Sequence, residues 1–239
     1  MSYQAAKIWL AVDCLVFGYD VEEECVKILL FKRTIDPFAG QWSLIGSFVE
    51  PEEPVHSAAA RILHKFTGLE NVYLEQIHAF GRTERDPAGR VVSILYWSII
   101  KLDQIKKDIV QRHHAAWFKL GELPELVLDH EDMVDFGKNR LLQLAERTPI
   151  GFELLPQKFT LPQLLRLYES IYGVRLDDRN FRKKMLSTGL LTKLSEKDKS
   201  TSKRGAFLYQ FAEERYRELS HSGYFMDFLK IKSSKDAGQ

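Results

Sequence analysis

The chain has only two cysteines among its 239 residues, Cys14 and Cys25, and no CxxC pair. That excludes a disulfide framework and a four-cysteine zinc site, and it fits a reducing cytoplasm. Long hydrophobic runs are also missing. The apolar stretch after Lys7 is broken at Asp13, so the sequence leads us to expect neither a signal peptide nor a membrane contact. No fixed-period repeat, GxxxxGK[ST] phosphate loop or GxSxG nucleophile elbow occurs. His113, His114 and His130 have no metal-ligand spacing, because adjacent residues on a strand point to opposite faces. No metal and no cofactor is therefore expected.

Net charge is nearly absent too, at +1, but the balance hides an asymmetry. Residues 1–150 hold 17 Lys+Arg against 22 Asp+Glu, and residues 151–239 hold 17 against 11. An acidic half joined to a basic half suggests a nucleic-acid-facing module attached to something else. With 45% apolar and 12% aromatic residues the chain can bury a sizeable core, and its length lies between one domain and two.

Stretches 8–17 and 26–33 are rich in β-branched and aromatic residues and flank an acidic turn, which reads as a hairpin. Further strands are expected at 72–80, 91–100 and 115–120, and helices at 54–68 and 130–147. This mixture lacks the regular alternation of a doubly wound sheet and reads as α+β. Thr148-Pro149-Ile150-Gly151 breaks the pattern. Thr160 is then a helix-capping type with Pro162 in the first turn, and Leu161, Leu164, Leu165, Tyr168 and Ile171 recur at helical spacing up to Gly173. A basic helix at 178–189 follows, with Phe181, Met185 and Leu186 as its anchoring stripe, and then two apolar runs, 190–194 and 206–211, around a charged loop. Helix, turn, helix and hairpin is the order of a winged helix-turn-helix.

The most informative segment is GSFVEPEEPVHSAAARILHKFTGL, residues 46–69. It resembles the Nudix box, with Gly46, Glu53, Arg61 and Gly68 at the motif's structural positions. The resemblance implies that Glu53 and Arg61 brace the loop on the helix. In that family three glutamates after the arginine hold divalent cations. Here those positions are Ile62, Lys65 and Phe66, which offer no oxygen ligands to a hard cation. Ile62 and Phe66, at i,i+4, are expected to cover one helical face with hydrocarbon. The structural half of the box is present and the chemical half is not, which implies a binding domain with no catalytic residues.

Nudix domains bind nucleoside diphosphate derivatives beside this loop. Arg85 and Arg90, in GRTERDPAGRVVS, suit phosphate or a polyol, and Lys32, Trp42 and Phe48 supply a further cation and an apolar platform. These five are the candidate effector-binding residues. At the basic end, residues 175–204 hold ten Lys+Arg and four Asp+Glu. Arg179, Asn180, Arg182 and Lys183 lie on the expected recognition helix, and Lys203 and Arg204 in the wing. Arginine and asparagine read base edges bidentately, whereas lysines more often touch phosphate.

Over residues 8–212 the chain resembles Nudix-related transcriptional regulators, on VEPEE with the degraded box, RTERDPAGRVVS, KFTLPQLLRLYESIYG and RNFRKKM. That resemblance implies a Nudix-like mixed-sheet α/β/α sandwich at 1–149 and a winged-helix DNA-binding domain at 150–231, while the polar composition of residues 232–239 reads as a disordered tail. It also implies a homodimer on double-stranded operator DNA, acting as an effector-responsive repressor. The effector it implies is a pentose, as in a Bacteroidetes arabinose-utilisation regulator, the branch to which the degraded box and LENVYLEQI point, or ADP-ribose-like, as in regulators of NAD metabolism. The competing expectations are a metal-dependent Nudix hydrolase of a nucleoside diphosphate sugar, using ligands such as Glu50, Glu52 or Glu53, and a protein-interaction scaffold.

Overall fold

The computed structural model describes residues 6–102, 105, 107–199 and 204–221. The expected tail and Lys203 lie outside the described residues. The chain divides into two compact units, one of residues 1–18 and 27–138 and the other of 19–26 and 139–239.

The first unit is built on strands β1 (Trp9–Asp20), β2 (Cys25–Lys32), β3 (Trp42–Ser43), β4 (Ile45–Phe48), β5 (Glu75–Phe80), β6 (Val91–Lys101) and β7 (Ala115–Lys119). They form a sheet of order β3-β2-β1-β6-β5, with β4 also on β1 and β7 also on β2. Helices α1 (Val55–Thr67), α2 (Lys107–Arg112) and α3 (His130–Arg147) accompany it. The long strands follow from their β-branched and aromatic content; the two-residue β3 carries too short a pattern to be foreseen.

Strand β1 is buried along most of its length because both of its faces are covered. Its even residues Val12, Cys14 and Val16 join Ala58, Ala59, Ile62, Leu63 and Phe66 of α1 in one core. Its odd residues Leu15 and Phe17 lie against Gly137 of α3, where an added Cβ would come within 1.9 Å of Leu15 Cδ2. A sheet between helices on its two faces is an α/β/α sandwich. Helix α1 ends at Gly68, whose φ of 71° is left-handed and whose N–H donates to the His64 carbonyl at 2.7 Å.

The second unit contains α4 (Gly151–Leu154), β8 (Phe159–Thr160), α5 (Leu161–Tyr172), α6 (Asp178–Ser187), β9 (Leu191–Asp198), β10 (Ala206–Phe211) and α7 (Glu213–His221). Strands β8, β10 and β9 form an antiparallel sheet in that order. Thr160 caps α5 in a reciprocal capping box with Gln163, and Gly173 closes it in the left-handed region. Leu161, Leu164, Leu165, Tyr168 and Ile171 are all buried, as the spacing requires. Phe181 and Met185 anchor α6, but Leu186 is 47% exposed: a stripe spaced by four ends at Met185, and the next residue along turns outward. The tip of the β1–β2 hairpin belongs to this unit, with the Val26 N–H donating to Ser170 Oγ at 2.8 Å and Arg166 3.4 Å from Glu24.

Candidate effector cleft and nucleic-acid interface

The loop between β4 and α1 is held by its own side chains. Glu53 accepts from Arg61 Nε at 3.0 Å, from Arg61 Nη2, and from the Glu50 N–H at 2.9 Å. A further Arg61 contact reaches the Phe48 carbonyl at 3.3 Å. The hydrogen bonds from Arg61, followed by that from the Glu50 backbone, hold the Glu53 carboxyl below its usual range. Gly46 lies so close over Asp13 that a Cβ would sit 2.1 Å from the carboxylate, which explains the glycine. Gly46, Glu53, Arg61 and Gly68 therefore shape one turn and one helix.

Ile62 and Phe66 are 1% and 7% exposed, inside the core rather than facing a cleft. Phe66 meets Phe31 and His113 with ring centroids 5.0 Å apart in each case. Lys65 is exposed, with its Nζ 5.6 Å from the Phe66 centroid. Among the described residues no cluster of three His, Cys, Asp or Glu side chains is arranged to hold a metal ion.

The candidate effector residues fall into three places. Lys32 and Trp42 face each other in the β2–β3 register, with Lys32 Nζ 5.6 Å from the indole, whose edge meets Phe118 at 4.7 Å. Phe48 is 51% exposed and stands edge-on to Trp9 at 5.8 Å, and Trp9 is itself 51% exposed. Arg90 is next to them, since its carbonyl accepts from the Trp9 N–H at 2.9 Å. Its guanidinium donates to the carbonyls of Gly81 and Arg82 at 2.8 and 3.2 Å. Lys32 and Trp42 thus form one neighbourhood, and Phe48, Trp9 and Arg90 a second one at the start of β1.

Arg85 lies elsewhere. It is 7% exposed and forms a two-pronged pair with Asp129 at 2.9 and 2.7 Å, with Asp13 3.9 Å away. Asp13 also accepts from Ser93 Oγ at 2.5 Å. Beside it, His130 Nδ1 accepts from the Leu44 N–H at 3.0 Å, and burial lowers the imidazole's pKa. Sequence spacing could not show this cluster, because its partners are 44 and 80 residues apart.

In the second unit, α6 presents Arg179, Asn180 and Lys183 to solvent on the side opposite Phe181 and Met185. Asp177 caps the helix by accepting from the Asn180 N–H at 2.7 Å. Arg182 is half-buried and paired with Asp178 at 2.6 Å. Arg204 is exposed at the loop between β9 and β10, whereas Lys203 is outside the described residues. An open groove of about 380 Å³ lies between Glu23, Glu24, Arg166, Glu169 and Arg175. Its charges satisfy one another: Glu169 accepts from Arg166 at 2.5 Å, Arg175 at 2.9 Å and the Leu176 N–H at 2.9 Å.

Comparison with known proteins finds two families in the chain. The NUDIX domain model matches residues 7–137, and the NrtR DNA-binding winged helix domain model matches residues 151–211. The ADPR responsive transcriptional repressor NtrR of Acinetobacter baylyi is 33% identical over 211 residues, 87% of this chain and 83% of that protein. This chain belongs to the NrtR family of Nudix-related transcriptional regulators. The crystal structure of Shewanella oneidensis NrtR complexed with a 27mer DNA superposes with a TM-score of 0.73 at 28% identity, covering 87% of this chain and 95% of that one. An ADP-ribose pyrophosphatase of Methanocaldococcus jannaschii is 35% identical over 125 residues, 52% of this chain and 70% of that protein. Both halves of the NrtR architecture are thus present, and the similarity to the pyrophosphatase spans about half of the chain.

Proposed function

We propose that this NrtR-family member is a DNA-binding repressor whose Nudix domain senses an ADP-ribose-like metabolite and does not hydrolyse it. The observation that carries the reading is the joint one: a winged helix with an exposed basic recognition face, and a Nudix box whose brace is intact while Ile62 and Phe66 are core residues. The effector assignment draws on the Acinetobacter relative, an ADPR responsive repressor, and the DNA assignment on the Shewanella complex.

In this reading residues 1–149 serve the effector and 150–231 the DNA. Lys32, Trp42, Phe48 and Arg90 line the effector site: the aromatics offer flat apolar surface and the cations meet diphosphate. Arg85 supports the same loop from within through Asp129. Arg179, Asn180 and Arg182 read base edges, Lys183, Lys203 and Arg204 meet phosphate, and a homodimer places two recognition helices on a pseudo-palindrome. The protein works in the cytoplasm.

Fluorescence anisotropy of the full chain with labelled promoter DNA from its own locus tests this. ADP-ribose must weaken DNA binding, and by linkage the DNA must weaken ADP-ribose binding by the same factor. A folded protein that binds no duplex at low salt overturns the repressor reading. The kinship with a pyrophosphatase makes hydrolysis the second reading, and magnesium-dependent turnover of ADP-ribose above about 1 per second, abolished by EDTA, would establish it.

A further inference from the structure

The face of the wing carries a cationic feature separate from its tip and from α6. Lys193 and Lys197 stand four residues apart on β9, and the two-residue period of a strand puts them on the same face. Lys197 is directly across from Phe207 of β10, and Lys193 is across from Tyr209, with a register irregularity between Phe207 and Tyr209. Both ammonium groups converge on the Phe207 ring, Lys193 Nζ at 3.6 Å and Lys197 Nζ at 4.4 Å from its centroid. The ring is 37% exposed.

Two features make this more than a solvated basic surface. Among the described residues neither ammonium has a carboxylate within ion-pair distance; the nearby Glu196 is taken by Lys158 at 2.7 Å. The two charges are also held at most about 8 Å apart by one shared aromatic face, which restrains long side chains that would otherwise separate. Like charges gathered without a counter-charge are relieved by a polyanion, and each strand of duplex DNA presents one charge per about 3.4 Å of axis. We propose that Lys193, Lys197 and Phe207 form a preorganised phosphate clamp by which the strand face of the wing holds the DNA backbone. The clamp rests on the DNA-binding reading above and adds residues that the sequence pattern did not single out. Its ligand is the phosphodiester itself, so its contribution is independent of base sequence. Phe207 acts as a positioning residue for the two lysines.

The test uses the full chain and a labelled random-sequence duplex, with affinity measured across a series of KCl concentrations. Changing Lys193→Gln and Lys197→Gln together should lower the magnitude of the log K against log salt slope by about 1.8, at about 0.9 per lost phosphate contact. Phe207→Leu keeps both charges: the slope should stay at the wild-type value while affinity at fixed salt falls about two- to fivefold. Lys138→Gln, a lysine of the other unit, should change neither. Thermal unfolding midpoints equal to wild type establish that these surface variants fold. An unchanged slope in the double lysine variant overturns the clamp while leaving DNA binding by α6 intact. A lowered slope in Phe207→Leu overturns the positioning role. Absence of any duplex binding by the wild type removes the DNA-binding reading together with the clamp.

Discussion

Restoring glutamates to the degraded box tests whether its lost positions face a cleft or the core. Ile62 and Phe66 are almost fully buried among Val12, Cys14, Leu29 and Tyr96. Truncating a buried isoleucine costs about 2–5 kcal/mol and a buried phenylalanine about 3–5. The two are neighbours at i,i+4, so the losses do not add fully, and a combined cost of roughly 5–8 kcal/mol is expected before carboxylate desolvation. That is comparable with the whole stability of a typical domain, about 5–15 kcal/mol. Ile62→Glu with Phe66→Glu should therefore unfold the Nudix unit or lower its urea midpoint severely, as followed by circular dichroism. Lys65→Glu, on the exposed side, should change stability by no more than about 0.5 kcal/mol. The deficit should also depend on pH. Burial raises a carboxyl's folded-state pKa above its unfolded value of about 4.3. Its relative stability is then fully present below that value and lost as pH rises through the folded pKa, so the deficit is smallest near pH 4. A double glutamate variant within about 1 kcal/mol of wild type at neutral pH would refute the reasoning, because it would mean that this face opens to water.

Further outcomes follow from the same packing. Gly137→Ala gains about 1 kcal/mol of helix propensity but places its Cβ 1.9 Å from Leu15 Cδ2; an overpacking cost of about 1–3 kcal/mol makes the net effect destabilising, and Leu15→Ala in the same chain should give a less than additive loss by chemical denaturation. His130 is held neutral by burial, so its folded-state pKa lies below the unfolded value of about 6.5. Its stabilisation is present above that value and declines as pH falls below it, and His130→Asn should lower the thermal midpoint at pH 7.5 while making the fall toward pH 5.5 shallower. Arg61→Ala frees the loop from Glu53 and should quicken hydrogen exchange at the Glu50 and Glu53 amides without unfolding the chain. Asn180→Ala should cost about 1–3 kcal/mol on a specific operator and much less on random duplex.

The sequence made legible those elements whose physics is local. The caps at Thr160 and Gly173, the α3 span at 130–147 and the alternation of β6 all follow from spacing that neighbouring residues enforce. The Glu53–Arg61 brace was legible because the motif fixes both partners within eight residues. What escaped depends on distant partners or short segments. Four-residue α4 and two-residue β8 offer no period to read. Arg85 has the composition of a ligand-binding arginine, and only the approach of Asp129 from the start of α3 makes it a buried brace. Lys193 sits in the apolar run 190–194 and Lys197 in the charged loop after it, and only the β9–β10 register and the position of Phe207 bring the two together.

The placement of the β1–β2 tip has a consequence for how such a regulator can be recombined. Residues 19–26 are contiguous in sequence with the Nudix strands, yet Val26 is hydrogen-bonded to Ser170 and Tyr19 is 2% exposed within the second unit. A gene fragment ending near residue 149 would leave that tip without the helix that covers it, and a foreign winged helix grafted there would meet a tip shaped for Arg166 and Ser170. Exchange of modules between relatives must therefore carry two separate stretches of sequence, so inheritance of α5 and of the hairpin tip is linked although some 140 residues lie between them.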